Sequence, residues 1–229
     1  MDDSEMYNDV IARLRESYNR NASERNQYSI EDWKVEERQH FLSLLQQEGK
    51  ERLLEIGAGP GRDSQFFHNN ELDVTCTDLS SEMVALCRAK GLNAYVMDFL
   101  SLDFPAESFE AVYALNCLLH VPKKDLGRVL ETIKRLMKPD GLFYMGVYGK
   151  EDFEGVWELD EYVPKRFFSF YTDEVIQKVV SDYFEVVYFK AVPLEDDERH
   201  FQSMILRREN PHPSPTSAAL RQAQSADSP

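Results

Sequence analysis

Leu53-Leu54-Glu55-Ile56-Gly57-Ala58-Gly59-Pro60-Gly61-Arg62-Asp63 joins a short, mostly apolar run to three glycines at alternate positions. A run of that length before a glycine cluster reads as a buried strand, because a strand covered on both faces needs no polar alternation. Glycine is required where backbone must turn sharply and lie against a ligand without an intervening Cβ. The stretch therefore predicts a strand, a close-contact loop and, from about Asp63, a helix.

Outward from this point strands and helices take turns. Val74 to Thr77 reads as a second strand, Ser81 to Lys90 as a helix ended by Gly91, and Ala94 to Met97 as a third strand. Phe109 to Leu115 supplies a fourth strand and Leu142 to Tyr148 a fifth. Between them Leu126, Val129, Leu130, Ile133, Leu136 and Met137 form one apolar helical face, stopped by Lys138-Pro139-Asp140-Gly141. Thr172 is placed to cap a helix carrying Val175, Ile176, Val179 and Val180, after which Phe184 to Val192 and Phe201 to Leu206 alternate around the polar turn Glu195 to His200. Upstream, apolar residues recur at helical spacing from Asp9 to Leu14 and from Ile30 to Leu45, separated by the polar stretch Tyr18 to Ser29, and Gly49 ends the second helix. The expected fold class is α/β and doubly wound: a seven-stranded, mostly parallel sheet with a C-terminal antiparallel hairpin and N-terminal helices.

The 229 residues suit one domain around one core. The organisation expected is an N-terminal helix and covering segment over 1–29, the main domain over 30–208, and a disordered tail over 209–229 rich in Pro, Ser, Ala and Gln. With 41 acidic against 26 basic side chains the net charge is −15, which repels phosphate backbones and anionic lipid. No Lys/Arg run exceeds a pair. Nucleic acid and membrane are therefore not expected as partners. Cys76, Cys87 and Cys117 are odd in number and set in apolar segments, as reduced core thiols are. The polar start from Met1 has no signal-peptide pattern, and a cytoplasmic monomer or homodimer is expected. No His/Cys/Asp cluster has metal-ligand spacing, so no metal is expected.

Asp78 stands 21 residues after Gly57, at the end of the second strand, where an acid accepts hydrogen bonds from the hydroxyls of a ribose. The glycines run G-x-G-x-G, and Arg62 occupies the place of the third glycine in the G-x-G-x-x-G pyrophosphate pattern. A nucleoside without a bridging pyrophosphate fits this better than a dinucleotide.

With these residues the sequence resembles the class I S-adenosylmethionine-dependent methyltransferases, of the small-molecule type, from about Ile30 to Arg208. Further ordered matches are Met97-Asp98-Phe99, the fourth-strand segment Phe109 to Pro122, and the fifth-strand segment Met137 to Tyr148. The resemblance implies a Rossmann-like fold and S-adenosyl-L-methionine as cofactor. It implies that Glu55 and the backbone of Gly57, Ala58 and Gly59 hold the methionine end, with Gly61 beside them and Arg62 at the cofactor carboxylate. Asp78 would take the ribose and Asp98 with Phe99 the adenine, while Leu79, Met83, Leu115 and Asn116 complete the cofactor site and Tyr18 covers it.

Methyl transfer from a sulfonium is an in-line displacement, for which a protein aligns donor and acceptor, excludes water and, where needed, takes a proton. His120, after the fourth strand, is the candidate base; alternatively it fixes the loop before Pro122. The long connection 150–171 is expected to cap a small-molecule acceptor, with Trp157, Tyr162 and Tyr171 as walls, an acid for an amine, and Lys165 or Arg166 for a carboxylate. Ala114 to Leu119 lacks the Asn/Asp-Pro-Pro-aromatic motif of members that methylate bases or glutamine. Two other readings remain open from sequence: an NAD(P)-dependent oxidoreductase, and a noncatalytic S-adenosylmethionine-binding adaptor.

Overall fold

A computed structural model describes residues 3–149, 151–194 and 199–210. Two helices, α1 (Asp3–Arg25) and α2 (Asp32–Gln47), lead into β1 (Arg52–Ile56), α3 (Arg62–Asn69), β2 (Asp73–Asp78), α4 (Ser81–Ala89) and β3 (Asn93–Val96). Then follow β4 (Phe109–Leu115), a single 3₁₀ turn at Leu118–His120, α5 (Lys123–Leu136), β5 (Met137–Gly149), β6 (Phe153–Val156), β7 (Phe167–Phe170), α6 (Asp173–Ser181), β8 (Glu185–Pro193) and β9 (His200–Arg207). Seven strands form one sheet in the order β3-β2-β1-β4-β5-β9-β8, and β6 and β7 pair separately. The first five strands of the sheet run parallel; β9 is antiparallel to both β5 and β8.

The side-chain period of two sorts each strand between two cores. On β4, Val112 and Ala114 face a layer that includes Leu126, Ile133 and Ile176 from α5 and α6, whereas Ala111 and Tyr113 face Phe41, Leu45 and Phe67 from α2 and α3. Burying each such large apolar side chain contributes about 1.5–3 kcal/mol, so the central strands are covered on both faces. Ser80 and Thr172 start α4 and α6 by accepting from the backbone N–H of Met83 (3.1 Å) and Val175 (3.4 Å). Among the described residues no helix is long and apolar enough to cross a membrane.

Three expectations change in detail. The polar stretch from Tyr18 is helical as far as Arg25. β5 begins at Met137, directly after α5, so Met137 belongs to a strand and Lys138 to Gly141 form an irregularity in it, with Asp140 at φ +59°. The segment 151–171 contains the β6/β7 hairpin. Residues 195–198 of the expected turn and 211–229 of the expected tail lie outside the described residues.

Helix α1 spans the carboxyl ends of the strands. Asn19 Oδ1 accepts from the Ser80 hydroxyl at 2.6 Å, at the corner between β2 and α4. On the other side the Ser17 hydroxyl donates to the Pro164 carbonyl and Arg20 to the Val163 carbonyl (3.2 Å), tying α1 to the segment between β6 and β7.

Candidate active site

The loop after β1 is shaped by two glycines. Gly57 (φ +67°) lies so close to the end of β4 that a Cβ would stand 2.3 Å from the Cβ of Cys117. Gly59 (φ +54°) has nothing within 4 Å of its would-be Cβ, so its open side leaves backbone accessible to a ligand. Gly61, also left-handed, opens α3. Asp78, at the end of β2, accepts from the backbone N–H groups of Gly59 and Ser80, both at 2.8 Å. Burial pushes its carboxyl above the usual range.

Beneath the loop, Glu55 is buried and accepts from the Ser64 hydroxyl. Burial and the neighbouring Asp63 carboxylate push it well above the usual carboxylate range. Asp63 itself is ion-paired to Arg38 at 2.6 Å, which locks α3 onto α2. A cavity of 110 Å³ lies here, lined in part by Glu55, Ala58, Arg62 and Arg25, and Arg62 donates to the Arg25 carbonyl.

At the carboxyl end of β4 the fold places His120 on the 3₁₀ turn. Its Nδ1 lies 2.7 Å from the Phe167 carbonyl, which can only accept, so Nδ1 carries the proton. Its Nε2 then accepts from the Tyr18 hydroxyl at 2.6 Å, and the same oxygen accepts from Arg166 Nη1 at 3.1 Å. Burial, together with the Arg166 charge, lowers the imidazole to about 3, so the ring is neutral. Arg166 is forked onto Asp160 at 2.6 and 2.9 Å and stacks 3.8 Å over the Tyr162 ring. Asn116 has φ +54°, and its buried Oδ1 has no partner.

Leu79, Phe99, Leu115, Asn116, Tyr18 and His120, with Gly57, Gly59 and Asp78, line a cavity of 60 Å³. Trp157, Tyr162 and Arg166 line a larger one of 480 Å³ under the β6/β7 hairpin. Among the expected site residues, Gly61, Met83, Asp98, Tyr171 and Lys165 line none of these cavities. Met83 is fully buried at the start of α4, and Asp98 accepts from the Leu100 N–H at 2.8 Å. Tyr171 packs in the core with the Lys123 ammonium 4.8 Å over its ring. Lys165 pairs with Glu158 at 2.9 Å instead of facing the cavity. Sequence reasoning missed Arg25, which lines all three cavities. Its signal was spacing: Leu14, Tyr18 and Arg25 share one helix face once α1 is taken through to Arg25.

Residues 53–141 match the family described as Methyltransferase domain. The chain is 25% identical over 181 residues to Phosphoethanolamine N-methyltransferase 1 of Arabidopsis thaliana, covering 76% of this chain and 35% of that protein. It thus spans about a third of that relative's length. It is 24% identical over 199 residues to Phosphoethanolamine N-methyltransferase of Plasmodium falciparum, covering 70% of this chain and 73% of that protein. The fold is similar to that of Burkholderia thailandensis 1,6-didemethyltoxoflavin-N1-methyltransferase, with a TM-score of 0.69 at 21% identity over 89% of this chain and 90% of that one. The methyltransferase-domain match over residues 53–141 runs from β1 to the start of β5, the part of the sheet that carries the glycine loop, Asp78 and His120.

Proposed function

We propose that the protein transfers a methyl group from S-adenosylmethionine to a small-molecule acceptor. One observation carries the reading: Tyr18, Asn116 and His120 line both the cavity over the glycine loop and the 480 Å³ cavity under the hairpin. A donor in the first and an acceptor in the second would meet at these side chains. The names of the N-methyltransferase relatives support an acceptor of small-molecule size. The net charge of −15 and the three free cysteines support a cytoplasmic protein that does not act on nucleic acid, as monomer or homodimer.

The residues present fit the cofactor. Gly59 offers open backbone, Asp78 a carboxyl group for ribose hydroxyls, Phe99 an apolar surface for adenine, Glu55 a carboxyl group for an α-ammonium, and Arg62 a cation for a carboxylate. The partnerless Asn116 Oδ1 is a buried acceptor awaiting a donor at the junction. When bound, S-adenosylmethionine supplies a methyl group on a sulfonium for in-line displacement.

The chain's contribution is alignment and exclusion of water. His120, neutral and fixed in one tautomer, acts as a positioning residue: it holds the Tyr18 hydroxyl, which Arg166 fixes from the other side. An imidazole lowered to about 3 is a weak proton acceptor at neutral pH, so this role is favoured over that of base.

The test is calorimetric titration with S-adenosylmethionine, S-adenosylhomocysteine and NAD, followed by an acceptor screen. The first two ligands are expected to bind and NAD not to; NAD binding alone refutes the proposal.

A further inference from the structure

Several buried or half-buried arginines are matched to acids. Arg38 pairs with Asp63, Arg166 with Asp160, Arg207 with Glu48 and Arg208 with Glu107, each between 2.6 and 2.9 Å. Arg25 and Arg62 are the exceptions beside the active site. Neither has a carboxylate within ion-pair distance among the described residues. Arg25 Nη1 donates to the Tyr162 hydroxyl at 3.0 Å, its guanidinium stands 5.3 Å from the Tyr18 ring centroid, and its Nε is buried without a partner. Arg62 spends a donor on the Arg25 backbone carbonyl, which brings two cations together. Burial and the Arg25 charge lower Arg62 below its usual range. An inward-facing cation without a counterion is costly to keep, and the cost is offset when a ligand brings an anion.

S-adenosylmethionine brings one carboxylate for this pair. Arg62 lies on the glycine-loop side, where that carboxylate is expected. Both line the 480 Å³ cavity, and there Arg25 is tied by its hydrogen bond to Tyr162. Lys34 in the same cavity is already paired with Glu31 at 2.8 Å, and Arg166 is taken by Asp160. The chain as a whole is strongly acidic, so a cation kept without a counterion in its large cavity is a local reversal of the prevailing field.

We propose that the methyl acceptor carries an anionic oxygen group, a carboxylate or a phosphate, and that Arg25 with the Tyr162 hydroxyl binds it in the 480 Å³ cavity. The inference rests on the methyltransferase reading and adds the acceptor's chemical class. The aromatic walls Trp157, Tyr162 and Phe168 accommodate the remainder of such a molecule.

The test uses the full chain saturated with S-adenosylhomocysteine and titrated, at constant ionic strength, with inorganic phosphate, benzoate and neutral benzyl alcohol. At least one anion is expected to bind saturably with a dissociation constant of roughly 1 mM, as suits so small a probe, and benzyl alcohol more weakly. Phosphate alone indicates a phosphorylated acceptor and benzoate alone a carboxylate. Arg25→Met is expected to lose about tenfold more affinity for the anion than for S-adenosylhomocysteine, and Arg25→Lys, which keeps the charge without the fork, to fall between. Equal anion binding by wild type and Arg25→Met overturns the proposal, as does absence of anion binding by protein that holds S-adenosylhomocysteine. Greater loss of S-adenosylhomocysteine than of the anion assigns Arg25 to the cofactor and also overturns it. If wild type binds no S-adenosylhomocysteine, the methyltransferase reading fails first and this inference falls with it.

Discussion

Gly57→Ala and Gly59→Ala impose similar backbone strain in different surroundings. Both residues are left-handed, at φ +67° and +54°, and an added Cβ in that region costs about 1–2 kcal/mol. At Gly59 nothing lies within 4 Å of the new atom, so that strain is the whole expected loss of stability. At Gly57 the new Cβ meets the Cys117 Cβ at 2.3 Å. The contacted atom is the root of a buried side chain whose Sγ donates to the Ile56 carbonyl at 3.1 Å, so it has no rotamer into which to retreat. Overpacking of that kind adds about 1–3 kcal/mol, bringing the expected loss for Gly57→Ala to about 2–5 kcal/mol. Urea unfolding followed by circular dichroism measures both: a lower midpoint at unchanged slope for each variant, with the larger shift for Gly57→Ala. Cofactor affinity is expected to fall in both, since one Cβ fills the open face of the loop and the other displaces the loop. Equal stability of the two variants, or a more stable Gly57→Ala, refutes the packing argument.

Tyr18→Phe removes the hydroxyl shared by His120 and Arg166 and is expected to slow transfer about 10–100-fold through misplacement; wild-type turnover counts against the positioning role. Asp78→Ala should weaken S-adenosylmethionine by about 1–3 kcal/mol in calorimetry, and unchanged affinity in a folded variant removes Asp78 from the site. His120 is lowered from 6.5 to about 3 in the folded protein, so between these values the unfolded chain holds more protons. Its contribution to stability is therefore complete above pH 6.5 and lost as pH falls toward 3. His120→Gln is expected to flatten that part of the stability profile, and an unaltered profile would show that the imidazole is not held neutral.

The parallel sheet was legible because its strands are covered on both faces, so that Leu53 to Ile56 and Phe109 to Leu115 announce themselves by apolar content alone. The glycine loop was legible because three left-handed glycines at alternate positions mark a sharp turn after a strand, and Asp78 because it closes the next strand. The second half of α1 was not. Its inward residues there, Ser17, Tyr18, Asn19 and Arg25, make polar contacts with Pro164, His120, Ser80 and Tyr162, so apolar periodicity has nothing to report. Tyr171 illustrates the opposite error: an aromatic-rich connection was read as a capping surface, yet this ring enters the core beneath it. Arg166 was expected to face a ligand carboxylate, but Asp160, six residues earlier, already holds it, a pairing that only the hairpin's turn makes geometrically possible.

Helix α1 grips both ends of the cleft at once, through Ser80 beside Asp78 and through the carbonyls of Val163 and Pro164 beside the 480 Å³ cavity. A helix held at both ends is a physical route by which ligands in the two cavities would be thermodynamically coupled. Coupling of this kind is reciprocal: the factor by which bound cofactor raises acceptor affinity is the factor by which acceptor raises cofactor affinity. Under the proposed methyl transfer, product would leave past the same helix, and a release step of that kind would compete with the chemical step in setting the turnover rate.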